Sequence, residues 1–325
     1  MKHQIELGVS LYSFTDLYLY EKNTIEELIR AVSEMDVEKM EIVGSQMIRN
    51  YPYLKEEDVD ELLGYCKKYG VRFHSYGANL DVGKYSDHDM TDDEILRESK
   101  HNLQIAHLLG CEVMREGLSP ALLVKMAPFA ERYGIQIGVE IHAPVKPSSK
   151  IVKDYIDAIQ SSGSDMIGLI VDFGCFIERP SPALLKSYAD LGADPKIVDY
   201  IIKVRHSGRS EEEVWQEIQK MGAGKIEHKV LSELFGFLSF APADLDGFSE
   251  MVPYCNHFHG KFYYVDESQN EVSIPYEPLL RIIAESGFKG CIVSEYEGHA
   301  FSDEDPILQV QRHLRMERNI LETLK

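Results

Sequence analysis

The chain has 325 residues, 44% hydrophobic and 27% charged, the make-up of an ordinary globular protein able to bury a large core. A formal net charge of −20 argues against a nucleic-acid or anionic-membrane partner. No apolar run reaches the ~20 residues of a membrane span, no signal-peptide pattern follows Met1-Lys2-His3, and the five cysteines form no C-x-x-C pair, so free thiols in the cytoplasm are expected.

Short apolar strands alternate with helical patterns along the whole chain. The first strand runs from Ile5 to Tyr12. A helix follows from Thr24, where a T-x-x-E capping box with Glu27 precedes Ile25, Leu28, Ile29, Val32 and Met35 at helical spacing. The second strand lies near Met40–Val43, before a helix from about Glu56 to Tyr69. The third, Val71–Tyr76, precedes a helix from about Asp92 to Leu109. The fourth is Cys111–Glu116, and Ser119-Pro120 then opens a helix ending at Gly134, with a kink or break expected at Pro128.

The fifth strand, Gly138-Val139-Glu140-Ile141-His142-Ala143-Pro144, places a carboxylate and an imidazole two residues apart, on one face. A helix from about Lys150 to Gln160 leads to Ile167–Asp172, apolar enough to be covered on both sides. Between Ser181 and about Glu250 the rhythm breaks into helical material with three legible starts, at Ser181-Pro182, Pro195 and Ser210. The seventh strand is Asn256–Lys261 and the eighth Cys291–Glu295, each followed by a helix. Eight strand-then-helix units predict an α/β fold of the (β/α)8 TIM-barrel type, one domain over residues 1–325, with a helical insertion at about 181–250 after strand six.

Active sites of such barrels lie at the C-terminal strand ends. Strand five ends in Glu140 and His142 and strand six in Asp172. Strand seven carries His257, His259 and Lys261, and strand eight ends in Glu295 and Glu297. Glu140, Asp172, His259 and Glu295 make an oxygen-rich set with one imidazole, suited to Mn²⁺, Mg²⁺ or Co²⁺ rather than to structural zinc. Such an ion can chelate adjacent sugar oxygens and stabilise an enediolate. Surplus carboxylate leaves the proton transfer to a protein base, and His142 is the side chain type for it. His257 and Lys261 are candidates for substrate oxygens, against packing beneath the metal site and a surface salt bridge respectively. The bland alternative for the fifth strand is a buried Glu140 held by an arginine beside a surface His142. Tyr12, Glu41, His74, Tyr76, Arg115 and Glu116 fall near the other strand ends, with Tyr12 and His74 read as substrate-binding. Glu297 and His299 read as solvated loop positions.

These residues resemble the xylose-isomerase-like barrel superfamily of sugar isomerases, 3-epimerases and inositol-catabolism enzymes. Val171-Asp172-Phe173-Gly174, His257-Phe258-His259 and Val293-Ser294-Glu295-Tyr296 look like its strand signatures. The resemblance implies that Glu140, Asp172, His259 and Glu295 hold one divalent metal, Mn²⁺ foremost. The sequence departs from the 3-epimerases, which carry a histidine where Cys175 stands and an arginine where Val265 stands. Glu140-Ile141-His142-Ala143-Pro144 and His257-Phe258-His259-Gly260-Lys261-Phe262, with the insertion, are similar to the larger subunit of bacterial C-glycoside deglycosidases. That likeness implies a carbon–carbon lyase acting on 3-oxo aryl C-glucosides of flavonoid type, together with a small β-rich partner subunit. It casts Glu140 and Glu295 as catalytic beside the base His142. Two other readings stay open: a sugar 3-epimerase or isomerase using a metal with Glu140 and Glu295 as a base pair, and a non-catalytic barrel with the insertion as its interface.

Overall fold

A computed structural model of the chain describes residues 4–236, 240–301 and 303–324. The leader reading at Met1–His3 lies outside the described residues, as do positions 237–239 of the expected insertion. Eight strands follow one another around a closed barrel: β1 (Glu6–Ser10), β2 (Lys39–Val43), β3 (Arg72–Gly77), β4 (Val113–Arg115), β5 (Gln136–Ile141), β6 (Ile167–Asp172), β7 (Cys255–Phe262) and β8 (Cys291–Tyr296). Each pairs in parallel with its neighbours, and β1 meets β8 to close the ring. The sequence therefore reads correctly as a (β/α)8 barrel.

Local chemistry sets the helix ends. Thr24 and Ser210 each accept from the backbone three residues on and are bonded in return by Glu27 and Glu213, so both capping boxes form. Gly134, at φ 66°, ends the helix Pro120–Tyr133 in the left-handed region that side chains avoid. No break occurs at Pro128, through which that helix runs. Met126, Ala127 and Ala130 around it are buried against the barrel, and this packing outweighs the single backbone bond the ring removes.

β2, β6 and β8 are buried along their full length, as strands sandwiched between barrel interior and helices must be. On β5 close packing demands glycine. A Cβ at Gly138 would fall 2.4 Å from Ile170 Cγ1, so no side chain fits beneath Glu140 on that face. Between β6 and β7 lie the helices Pro182–Asp190, Pro195–Val204, Glu211–Lys220, Lys225–Phe235 and Leu245–Met251. The last two escaped sequence reading, Lys225–Phe235 because a glycine stands at its cap instead of a hydroxyl residue. Ile201, Val214, Ile218 and Val230 from three of these helices are fully buried, so the insertion has an apolar interior.

Candidate active site

The alternation of β7 stacks His257, His259 and Lys261 on the inner face of the barrel. His259 is the middle of the three, and its Nδ1 faces Glu140 Oε1 at 2.7 Å and Glu295 Oε2 at 3.7 Å. Ligand atoms from Glu140, Asp172, His259 and Glu295 all lie within 4.8 Å of one another. Each comes from a different strand, β5 to β8, so barrel closure itself assembles the group. Glu295 Oε2 is buried without a hydrogen-bond donor, which fits an oxygen reserved for a cation. Three carboxylates and one imidazole at this spacing suit a hard or borderline divalent ion.

The imidazole is fixed from below. Glu41, on β2, accepts from His259 Nε2 at 3.2 Å and from the Ser10 and Ser75 hydroxyls at 3.0 Å each. With Nε2 bonded to Glu41, Nδ1 is the nitrogen turned toward the carboxylates, the one that would give its lone pair to a cation held among them. Glu41, His257 and His259 make a second group of metal-competent side chains. The two serine donors already saturate much of Glu41, and this lower layer reads as support for the upper one.

Above the cluster stands a second imidazole. His142 follows β5 directly, and its Nδ1–H donates to the Ala143 carbonyl at 2.7 Å. That bond leaves Nε2 as the unprotonated nitrogen, 3.5 Å from Asp172 Oδ2 and 2.9 Å from Lys261 Nζ. Asp172 is held in turn: the Gly174 N–H donates to Oδ1 at 2.5 Å, turning Oδ2 toward Lys261 at 2.7 Å. Lys261 also lies 3.5 Å from Glu295 and 3.1 Å from Glu297, and Tyr12 donates its hydroxyl to Glu297 at 3.1 Å.

The electrostatics follow from this crowding. Burial alone would raise the Glu140 carboxyl, but Arg115, 2.9 Å away, and His259 hold it well below the usual range. The Glu295 carboxyl is pushed up to about 7, first by burial and then by the Asp172 and Glu140 carboxylates. Burial would lower His259, yet Glu41, Glu295 and Glu140 raise it well above an ordinary histidine. The cluster therefore calls for positive charge at its centre, the demand a divalent cation meets.

Several expectations change. Lys261 is 3% exposed and sits among the carboxylates, so the surface salt bridge is excluded. His257 is fully buried below His259, near Ser75 and Glu41, which removes it from substrate contact in favour of packing under the cluster. His74 is likewise displaced: it lines a pocket with Lys39, Glu112 and Gln136 at the opposite, N-terminal end of the barrel, because its place early in β3 is too low to reach the mouth. Tyr12 lies at the mouth. Glu297, read as a solvated loop residue, is drawn into the site by Lys261 and Tyr12. The arginine holding Glu140 is real, and it is Arg115; the same carboxylate also faces His259. Glu41 and Arg115 belong to the site as the groups that hold His259 and Glu140. The available signal for Glu41 was a lone carboxylate among the apolar residues Met40, Ile42 and Val43.

A family model described as xylose isomerase-like TIM barrel matches residues 29–317. The chain is 31% identical to a C-glycoside deglycosidase alpha subunit of Arthrobacter globiformis, covering 98% of this chain and 94% of that one. It is 29% identical to a 3'-dehydrocarminate deglycosidase alpha subunit of a Microbacterium species, covering 97% and 94%. Among solved structures it resembles a sugar phosphate isomerase/epimerase of Parabacteroides distasonis, with a TM-score of 0.60 at 9% identity, covering 99% and 96% of the two chains. That last likeness concerns the fold alone.

Proposed function

Because the chain belongs to the xylose isomerase-like TIM barrel family and to the family of the C-glycoside deglycosidase alpha subunits, we propose that it is a divalent-metal-dependent carbon–carbon lyase that cleaves 3-oxo aryl C-glucosides. Glu140, Asp172, His259 and Glu295 hold the metal, Mn²⁺ best matching their chemistry. When bound there, such an ion would supply positive charge that stabilises negative charge developing on the sugar oxygens.

The observation that carries the reading is the orientation of His142. Its Nδ1–H is committed to the Ala143 carbonyl, so Nε2 presents a lone pair over the cluster. That nitrogen takes the C2 proton, which the adjacent ketone acidifies. The electron pair left at C2 forms the C1–C2 double bond as the bond from C1 to the aryl carbon breaks. The aryl carbon gains a proton, so one proton leaves the sugar and one arrives on the aglycone. Lys261 donates to His142 in the resting site and, once substrate displaces that bond, lies within reach of a sugar oxygen.

His142→Gln tests this. A general base contributes ~10²–10⁴-fold, so aglycone release from a 3-oxo aryl C-glucoside should fall at least about a hundredfold, with metal content unchanged. Near-full aglycone release by the variant would remove His142 as the base, whereas epimerisation of a free keto sugar without aglycone release would point instead to Glu140 and Glu295 as the proton-transfer pair of an epimerase.

A further inference from the structure

Beside the cluster, over the ends of β7 and β8, lies a cavity of about 1010 Å³ between the helix Pro182–Asp190 and the segment that follows β8. Its apolar surface comes from Leu184, Leu191 and Leu308 and from the rings of Tyr263 and Phe301, whose centroids lie 6.0 Å apart at 42°. Its charged lining is lopsided, with six carboxylates against two lysines. Neither lysine is free: Lys186 pairs with Asp190 at 2.6 Å and Lys229 with Glu233 at 3.6 Å.

Glu297 joins the cavity to the reacting centre. It lines the cavity and lies 3.1 Å from Lys261, itself 2.7 Å from Asp172. In a C-glucoside the aryl group is bonded directly to the sugar ring. With the sugar over the cluster, the aryl plane must begin within one side chain of it, and this cavity begins there.

We propose that the cavity is the aglycone subsite, shaped for a neutral hydroxylated aromatic system whose phenols donate to the acidic lining, and that the same carboxylates exclude aglycones bearing carboxylate or sulfate. The proposal rests on the C-glycoside reading of the site. Apolar walls favour a flat ring by desolvation. Carboxylates accept phenol hydrogens and repel a second anion in a partly enclosed space. It also gives the insertion a task, since Pro182–Asp190 and Lys229–Glu233 supply one wall.

The test is equilibrium binding of luteolin, a neutral polyhydroxyflavone, and of a carboxylated flavone to the full chain, alongside cleavage of the matching 3-oxo C-glucoside. Wild type should bind luteolin at least about tenfold more tightly than the carboxylated flavone. Leu308→Trp fills the cavity from a partly exposed position and should weaken luteolin binding at least about tenfold. Leu191→Trp does so from the opposite wall and replaces it if the first variant does not fold. Asp190→Asn with Glu233→Gln frees both lysines and should bring the two affinities within about threefold. Equal binding of the two flavones by wild type, or unchanged luteolin affinity in a folded tryptophan variant, overturns the proposal. If wild type binds luteolin as described but cleaves no C-glucoside, the lyase reading fails and the aromatic subsite stands. If it cleaves but the tryptophan variants keep their KM for the flavone C-glucoside, the subsite fails and the lyase reading stands.

Discussion

Glu41 is 1% exposed at the level of the Ser10 and Ser75 hydroxyls and touches no part of the mouth, yet it decides which nitrogen of His259 faces the carboxylates. Outer partners of this kind are worth ten- to a hundredfold in metal affinity. Glu41→Ala removes the acceptor and leaves three buried donors to find new ones. Metal affinity measured by titration should fall about ten- to a hundredfold; an unchanged affinity would show that His259 needs no help from below. At this scale the sequence was informative where chemistry is tied to strand position. Glu140, Asp172 and Glu295 each follow a largely apolar run and His259 ends an alternating His-Phe-His, and period-two alternation puts them on the inner face. It was poor where a long side chain chooses its own direction. The four-carbon stem of Lys261 can run out to solvent or back over the cluster, and only the carboxylates of Asp172 on β6, Glu295 on β8 and Glu297 just beyond β8 decide which.

β4 shows how an element outside the cluster is anchored to it and to the outer helices at once. Arg115 points to Glu140, and the next residue, Glu116, is fully buried and accepts from Asn102 of the helix Asp92–Leu108 at 3.0 Å. Burial pushes the Glu116 carboxyl up to about 7 from an ordinary 4.5, with Asn102 and Arg115 opposing. The folded state thus binds its proton more tightly than the unfolded chain does. Its contribution is fully present below about 4.5 and is lost as pH rises through about 7. Glu116→Gln keeps an acceptor for Asn102 and stays neutral. Urea unfolding should find it close to wild type at pH ~5 and more stable by on the order of 3 kcal/mol at pH ~8. A wild-type advantage at the higher pH would contradict this account. Helix starts with hydroxyl caps were legible from sequence. Lys225–Phe235, capped at a glycine, was not, and the unbroken helix through Pro128 depends on packing that no local pattern carries.

Across the whole molecule, strand count and order were readable because each βα unit repeats the same switch from short apolar run to 3.6-residue period. The depth of each residue along the barrel axis was not. His74 and His257 look equivalent to His259 in sequence but sit lower, His257 because it comes two residues earlier on β7 and His74 because it lies early in β3. Similar chains are named as alpha subunits, which motivates a second component for this one. If a small β-rich subunit completes the assembly, adding it should raise aglycone release by the purified chain at least about tenfold. Full activity of the chain alone would remove the need for it. The central claim, elimination from the sugar after proton loss at C2, is tested most directly with a 3-oxo aryl C-glucoside deuterated at C2 and followed by NMR. The account predicts release of the free arene together with loss of the C2 deuteron from the sugar. Inversion or exchange at the ring with the aryl group still attached would contradict it.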